Sequence, residues 1–244
     1  MKKLFLLFLV SGLFYGQLSP QVDKLYRKLS ESQQYESRNI GFDGHESIPY
    51  KIHTEIGKIA TEQELMYMAL NGSPIVKNYI SNILFSRKSK SIQEIFKAYL
   101  KTNDSIVVRS GCTGYHSFLA DEIYRNVATE KYAINKAEEY KKWKDSLIHS
   151  KKEPDNVDFD FIMESLKVET QWKQKEIDSL HYQLDQIVLD NKESPRNSIE
   201  LICSYYLYEK VRVPYYEKIA YFEKKYNSED IKNYMSFCRN TINQ

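Results

Sequence analysis

The sequence predicts an all-α protein: a short stack of helical hairpins (an α-solenoid) with one long antiparallel helical hairpin inserted into it. Apolar residues recur at spacings of three and four, and period-two alternation never persists for more than a few residues. Every glycine lies at or before Gly114, so the last 130 residues offer few positions for tight turns. Long helices are the simplest consequence for that part of the chain.

The clearest hairpin covers residues 61–87. Thr61 and Glu64 have the spacing of a capping box, which predicts the start of a first helix. The Asn-Gly pair at 71–72 predicts its end, with the glycine in the left-handed conformation. The Ser-Pro pair at 73–74 then predicts the start of a second helix, since proline fits the first helical turn.

A partial copy of this pattern follows. Ser91 and Glu94 repeat the capping-box spacing, and the apolar residues of 95–100 follow at helical spacing. Residues 106–109, Ile-Val-Val-Arg, are predicted to open a further helix. The Val-Arg pair of this segment stands 32 residues after the Val-Lys pair at 76–77, within the range of helical repeat periods.

These residues resemble HEAT-type repeats, in which a turn of small, polar and proline residues and a Val-Arg or Val-Lys pair begin the second helix. The segment from Ile40 to Arg109, about a third of the chain, is similar to HEAT-like proteins of an uncharacterised secreted bacterial family. The resemblance implies an α-solenoid fold and no particular activity. The second copy departs from the pattern because it continues into Gly111 and Gly114.

The start of the chain has the features of a secretory signal peptide. Lys2 and Lys3 precede an apolar run over 4–14, and the small residue Gly16 follows. That run is shorter than the ~20 residues that cross a bilayer. We expect an exported chain, periplasmic or extracellular, with no transmembrane segment after cleavage.

The predicted organisation has four segments. They are a signal peptide (1–16), HEAT-like repeats (17–129), a long helical hairpin insertion (130–192) and C-terminal helices that rejoin the stack (193–244). The second helix of the insertion is predicted from about 160 to 190. Its apolar seam over 163–187 is typical of a coiled coil, formed either within one chain or in a homodimer.

Charge and cysteine content narrow the function classes. Of 35 basic residues two lie in the leader, so 33 basic residues would remain against 33 acidic ones. A neutral chain gives no bulk reason to expect nucleic acid binding, which depends on concentrated positive charge. Three cysteines allow one disulfide at most, and the candidate pair is Cys203–Cys238. The alternative is that all three, including Cys112, are buried free thiols.

Five residues are weak candidates for a metal or catalytic site. Asp43, His45 and Glu46 lie on a glycine-rich turn, although such residues favour turns in any case. Cys112 and His116 would share one face if they lay on a helix, and they could supply two metal ligands or a nucleophile pair. The alternative for the second pair is a buried thiol beside a hydrogen-bonded histidine. No cofactor is predicted.

Tyrosine is abundant, with 20 residues in 244, which an AT-rich genome would also produce. Part of the C-terminal tyrosine set must face the core, and the remainder could form a recognition patch, because tyrosine is enriched at interfaces. His181 and Asp185, one turn apart, are predicted to be a solvated pair. The candidate binding residues are Tyr205, Tyr206, Tyr208, Tyr215, Tyr216 and Tyr221.

We therefore predict an exported, non-catalytic interaction or scaffold protein that presents a helical-repeat surface to a protein or envelope partner. The alternative is a small-molecule- or metal-binding protein, or an enzyme, whose site combines the turn at 43–46 with Cys112 and His116. A third possibility is a purely structural envelope component.

Overall fold

The structure is a computed structural model that describes residues 18–150, 171–210 and 215–242. The chain divides into two compact units, Met1–Ile123 and Tyr124–Gln244. The elements of the first unit are α1 (Pro20–Ser30), β1 (Tyr35–Ile40), β2 (His45–Glu46), α2 (Ile48–Ile59), α3 (Glu62–Asn71), α4 (Pro74–Ser86), α5 (Ile92–Thr102), β3 (Ser105–Gly111) and β4 (Thr113–Phe118). The elements that follow are α6 (Leu119–Ser150), α7 (Gln174–Leu189), α8 (Arg196–Tyr208), α9 (Tyr216–Tyr226) and α10 (Glu229–Ile242).

The described residues are mostly helical, but the prediction of a purely α-helical chain is wrong. Four strands in the first unit form one mixed sheet with the order β2-β1-β3-β4. The two hairpins in it are antiparallel, whereas β1 and β3 pair in parallel. Helices α2 to α5 make the connection between these two parallel strands. The four predicted segments stay a prediction.

The predicted helix at residues 106–109 is instead part of β3. Ile106, Val107 and Val108 are β-branched, and such side chains lose rotamer freedom in a helix but pack well on a pleated sheet. Burial alternates along them, with exposures of 4%, 38% and 2%. Gly111 has a φ of +56°, which glycine adopts without steric cost, and it turns the chain into β4.

The hairpin of α3 and α4 is confirmed. Thr61 Oγ1 accepts the amide of Glu64 at 3.3 Å, and Glu64 Oε2 accepts the amide of Thr61 at 2.8 Å. Glu64 Oε1 also accepts the amide of Ser19 at 2.7 Å, which ties the start of α1 to the start of α3. Burial raises the pKa of Glu64, but these hydrogen bonds outweigh burial and lower the pKa to about 2.

Gly72 ends α3 for a different reason from the predicted one. Its φ of −70° and ψ of 171° are extended rather than left-handed. A Cβ added at this position would lie 2.7 Å from the carbonyl oxygen of Met68 and 2.8 Å from Cγ1 of Val76. Glycine is therefore required because the chain passes close to its own backbone.

The second unit packs α7 to α10 around a buried apolar core. The predicted helix from 160 to 190 is confirmed over α7, is not helical at 171–173, and otherwise lies outside the described residues. Ile177, Leu180 and Leu184 on its seam are buried within a single copy of the chain. This burial favours packing within the chain, and a homodimer through residues 163–187 stays a prediction.

None of the three cysteines forms a disulfide bond. Cys203 and Cys238 are buried, as predicted for free thiols, whereas Cys112 is exposed on the turn between β3 and β4, so its predicted burial is wrong. Among the described residues, no helix combines the length and apolarity that a membrane crossing needs.

Two glycine substitutions should have opposite effects on stability. Gly72→Ala should lower the free energy of unfolding by about 1–3 kcal/mol, because the new methyl group meets a backbone oxygen that cannot easily move. Gly57→Ala, in the interior of α2, should raise it by about 0.5–1 kcal/mol, since its Cβ meets only ordinary contacts from 3.5 Å. Urea unfolding followed by far-UV circular dichroism measures both. Equal effects would contradict this interpretation of Gly72.

Candidate functional site

The candidate site is an open cleft of about 440 Å³ in the first unit, between the start of β1, β2 and the N-terminus of α2. Its volume falls within the range of ~300–1,000 Å³ that is usual for ligand pockets. The apolar lining residues, called the apolar wall below, are Ile40, Ile48 and Pro49. The polar and charged lining residues are Ser32, Gln33, Gln34, Glu36, His45, Glu46, Ser47 and Arg109.

A buried tyrosine holds β1, the strand that contributes Glu36 and Ile40 to the lining of the cleft. Tyr79 Oη accepts the amide of Glu36 at 2.8 Å and donates to the carbonyl of Glu36 at 2.9 Å. Tyr79 is fully buried on α4, and burial raises the pKa of its hydroxyl, which keeps the donated proton in place. Both backbone groups of one β1 residue are therefore satisfied by a single side chain of the helical hairpin.

The carboxylates near the cleft are each engaged by the protein. Glu36 accepts a hydrogen bond from Ser47 Oγ at 2.8 Å and one from Gln34 Nε2 at 2.9 Å. Glu46 lies 3.3 Å from the ammonium of Lys51 and 3.5 Å from the guanidinium of Arg38. Glu36 thus has neutral hydrogen-bond donors, and Glu46 has two cationic neighbours, within the protein.

The third carboxylate, Asp43, bonds His45. The distance from Asp43 Oδ1 to His45 Nδ1 is 2.8 Å, and the hydrogen bond from His45 lowers the pKa of Asp43. Both side chains are exposed, Asp43 on the turn between β1 and β2 and His45 at the start of β2. This pair therefore orients the His45 ring, which lines the cleft.

Arg109 is the charged group in the cleft that the protein leaves unmatched. It lies on β3, opposite Glu36 of β1 on one side and Gly114 of β4 on the other. Its side chain is half-buried and lines the cleft, yet it has no hydrogen bond or ion pair with any other part of the chain that the structure describes. The cleft therefore presents an unpaired positive charge.

The five weak candidates for a metal site are only partly brought together. Cys112 Sγ lies 3.4 Å from the carbonyl oxygen of Gly41, on the same turn as Asp43 and His45. His116 lies instead on β4, opposite Val107, so the predicted helical face shared by Cys112 and His116 is wrong. Within residues 18–150, 171–210 and 215–242, no group of three His, Cys, Asp or Glu side chains could hold a metal ion.

The six candidate tyrosines differ in exposure. Tyr208 and Tyr221 are exposed, at 71% and 40%, and the Tyr208 ring centroid lies 6.5 Å from that of Tyr132. Tyr205, Tyr206, Tyr215 and Tyr216 are half-buried. Of these, Tyr206 and Tyr215 point their hydroxyls into the interior of the second unit.

Those hydroxyls bond Asp185, whose predicted exposure is wrong. Asp185 and His181 have exposures of 0% and 1%. The carboxylate accepts hydroxyl hydrogen bonds from Tyr206 at 2.5 Å, from Tyr124 at 2.9 Å and from Tyr215 at 3.2 Å. Burial raises the pKa of Asp185 to about 6, since the hydrogen bonds from the tyrosines offset desolvation only in part.

His181 lies beside this carboxylate and is held neutral. Its Nδ1 is 3.9 Å from Asp185 Oδ2, which is too long for a hydrogen bond, and its buried Nε2 has no partner among the described residues. Burial is the main cause that lowers the pKa of His181 to about 3. The Tyr124 and Tyr205 rings pack against it, with centroids at 5.1 and 4.6 Å.

The sequence carries a signal for this cluster. Ile177, His181, Asp185 and Leu189 follow one another at intervals of four, and all four are buried on α7. Two apolar residues that bracket two polar ones on the same helical stripe indicate a polar pair inside the core.

Asp185→Asn and His181→Phe should change the pH dependence of the free energy of unfolding in opposite directions. The folded pKa of Asp185, about 6, exceeds its usual 3.8, so its contribution is fully present below pH 3.8 and is lost as the pH rises through 6. His181 has a folded pKa of about 3, below its usual 6.5, so its contribution is present above pH 6.5 and is lost as the pH falls toward 3.

Tryptophan fluorescence in urea measures this, since Trp143 and Trp172 both lie in the second unit. From pH 7 to pH 4, the unfolding free energy of Asp185→Asn should fall relative to wild type by about 2 kcal/mol, and that of His181→Phe should rise by about 3 kcal/mol. Asp145→Asn, an exposed change on α6, should follow the wild type. Parallel curves for all four proteins would contradict this account of the cluster.

Comparison of the chain with family models, with curated proteins and with solved structures finds no match in any of the three.

Proposed function

We propose that the chain is an exported, non-catalytic interaction protein that binds a segment of a partner polypeptide in the cleft of its first unit. The observation that carries the proposal is the Arg109 side chain, half-buried in the cleft and unmatched by any described residue. An arginine that no protein group engages, at the surface of an open cleft, is available to pair with an anionic group of a ligand.

Exposed apolar side chains beside the cleft favour a polypeptide over a small ligand. Ile48 lines the cleft with an exposure of 71%, and Phe42, on the turn that leads into His45, has an exposure of 101%. A small molecule bound in the cleft would leave these large apolar side chains exposed to water. Exposed apolar groups of this kind are typical of surfaces that contact a second macromolecule. The free surface of the partner would cover them.

The helices support this role as a scaffold. We propose that α2 to α4 are the retained part of a HEAT-like stack, whose packing fixes β1 through Tyr79. Arg87, the residue that follows α4, donates to the carbonyls of Ala60 at 2.9 Å and Gly57 at 2.8 Å, and so joins the end of α4 to the C-terminal end of α2. The features of residues 1–16 support export, which places the partner in the cell envelope or outside the cell.

The alternative, a small-molecule or metal site that combines residues 43–46 with Cys112 and His116, stays a prediction. A recognition surface on Tyr208 and Tyr221 stays one as well. Neither has a charged group without a partner comparable to Arg109.

A photo-crosslinking amino acid placed in turn at residues 42, 48 and 59 tests the proposal in the cells that express the protein. Ile59 is the matched control, because it is apolar, is 40% exposed, and lies at the opposite end of α2, about 16 Å from Ile48. We expect one polypeptide to be crosslinked from positions 42 and 48 and not from 59. Absence of crosslinks, or equal crosslinking from all three positions, would overturn the proposal.

A further inference from the structure

We infer that the group recognised in the cleft is the C-terminal carboxylate of the partner polypeptide, bound by the guanidinium of Arg109. This inference rests on the proposed function, because it names the chemistry of the segment that enters the cleft.

The charged residues that line the cleft favour an anionic ligand. Glu36 is bonded by Ser47 and Gln34, and Glu46 lies near two cationic side chains. The acidic groups therefore need no cation from a ligand. Arg109 is the opposite case: although Glu36 lies across from it on β1, its guanidinium has no hydrogen bond or ion pair with any described residue.

The position of Arg109 gives its side chain a fixed origin. Its strand is paired on both sides, by β1 and by β4, so the backbone at Arg109 has little freedom. A guanidinium presents planar donors whose geometry matches the two oxygens of a carboxylate. The N-terminus of the 12-residue helix α2 also borders the cleft and adds partial positive charge to it.

The apolar wall distinguishes a chain terminus from an acidic side chain. Ile40, Ile48 and Pro49 line the same cleft as Arg109. A C-terminal residue carries both a carboxylate and an adjacent side chain, and an apolar side chain there fits this wall while the carboxylate meets Arg109. Aspartate or glutamate within a chain offers a carboxylate but no apolar group of its own beyond one or two methylenes.

Three peptides test the inference on the full mature chain labelled with ¹⁵N-arginine. They are acetyl-Gly-Gly-Leu with a free carboxylate, the same peptide as its C-terminal amide, and acetyl-Gly-Glu-Gly-amide, which carries only an internal carboxylate. The signal followed is the Nε–H resonance of Arg109, identified by its loss in Arg109→Gln. Arg27→Gln is the matched control, since it removes an exposed arginine of α1 that does not line the cleft.

We expect the free acid to shift the Arg109 resonance saturably, and each of the other two peptides to bind about tenfold or more weakly, as the loss of a charge-assisted pair implies. Arg109→Lys, which lacks this resonance and is measured by isothermal titration calorimetry beside the wild type, should also bind the free acid weakly, because it keeps the charge and loses the planar fork. Arg27→Gln should bind like the wild type. Equal shifts with acid and amide, tighter binding of the internal carboxylate, or no shift at all would overturn the inference.

The two proposals fail differently. If crosslinks from residues 42 and 48 persist while the three peptides fail to discriminate, the carboxylate is wrong and the cleft remains the binding site. If those crosslinks are also absent, the proposed function fails. The circular dichroism spectrum of Arg109→Gln should match that of the wild type, since the Arg109 side chain makes no hydrogen bond or ion pair with the described residues that the change would break.

Discussion

The double hydrogen bond between Tyr79 and the backbone of Glu36 is the contact on which the first unit depends. It joins a buried position on α4 to β1, 43 residues earlier in the chain. An unsatisfied buried backbone group costs about 1–3 kcal/mol, so one hydroxyl that satisfies both groups holds the strand firmly. With β1 in place, Glu36 meets Ser47 of the α2 N-cap, and β3 brings Arg109 alongside.

The charged groups that lie below the surface have different partners in the two units. In the first unit the acids are matched, and a half-buried cation is left facing an open cleft. In the second unit a fully buried acid is surrounded by three tyrosine hydroxyls and a neutral histidine. The first arrangement favours an outside partner, whereas in the second Asp185 and His181 make opposing contributions to the stability of the core as the pH falls.

Local signals in the sequence predicted the helical hairpin well, because capping boxes act over three or four residues. The sheet escaped prediction because β1 has no apolar alternation and is held by Tyr79 and by pairing with β3. The role of Arg109 escaped too, since it depends on which neighbours already satisfy Glu36 and Glu46, and no spacing in the sequence encodes that. The buried pair on α7 was detectable from the four-residue interval between Ile177, His181 and Asp185.

Tyr79 holds β1 and thereby the cleft, and amide hydrogen exchange of the Tyr79→Phe variant is the decisive measurement. Phenylalanine keeps the ring and removes only the hydroxyl. We predict that exchange of the peptide covering β1 becomes about tenfold faster or more, as the loss of roughly 1.4 kcal/mol implies, while the peptide covering α3 is unchanged. Unchanged exchange in β1, or equal acceleration in both peptides, would contradict the account.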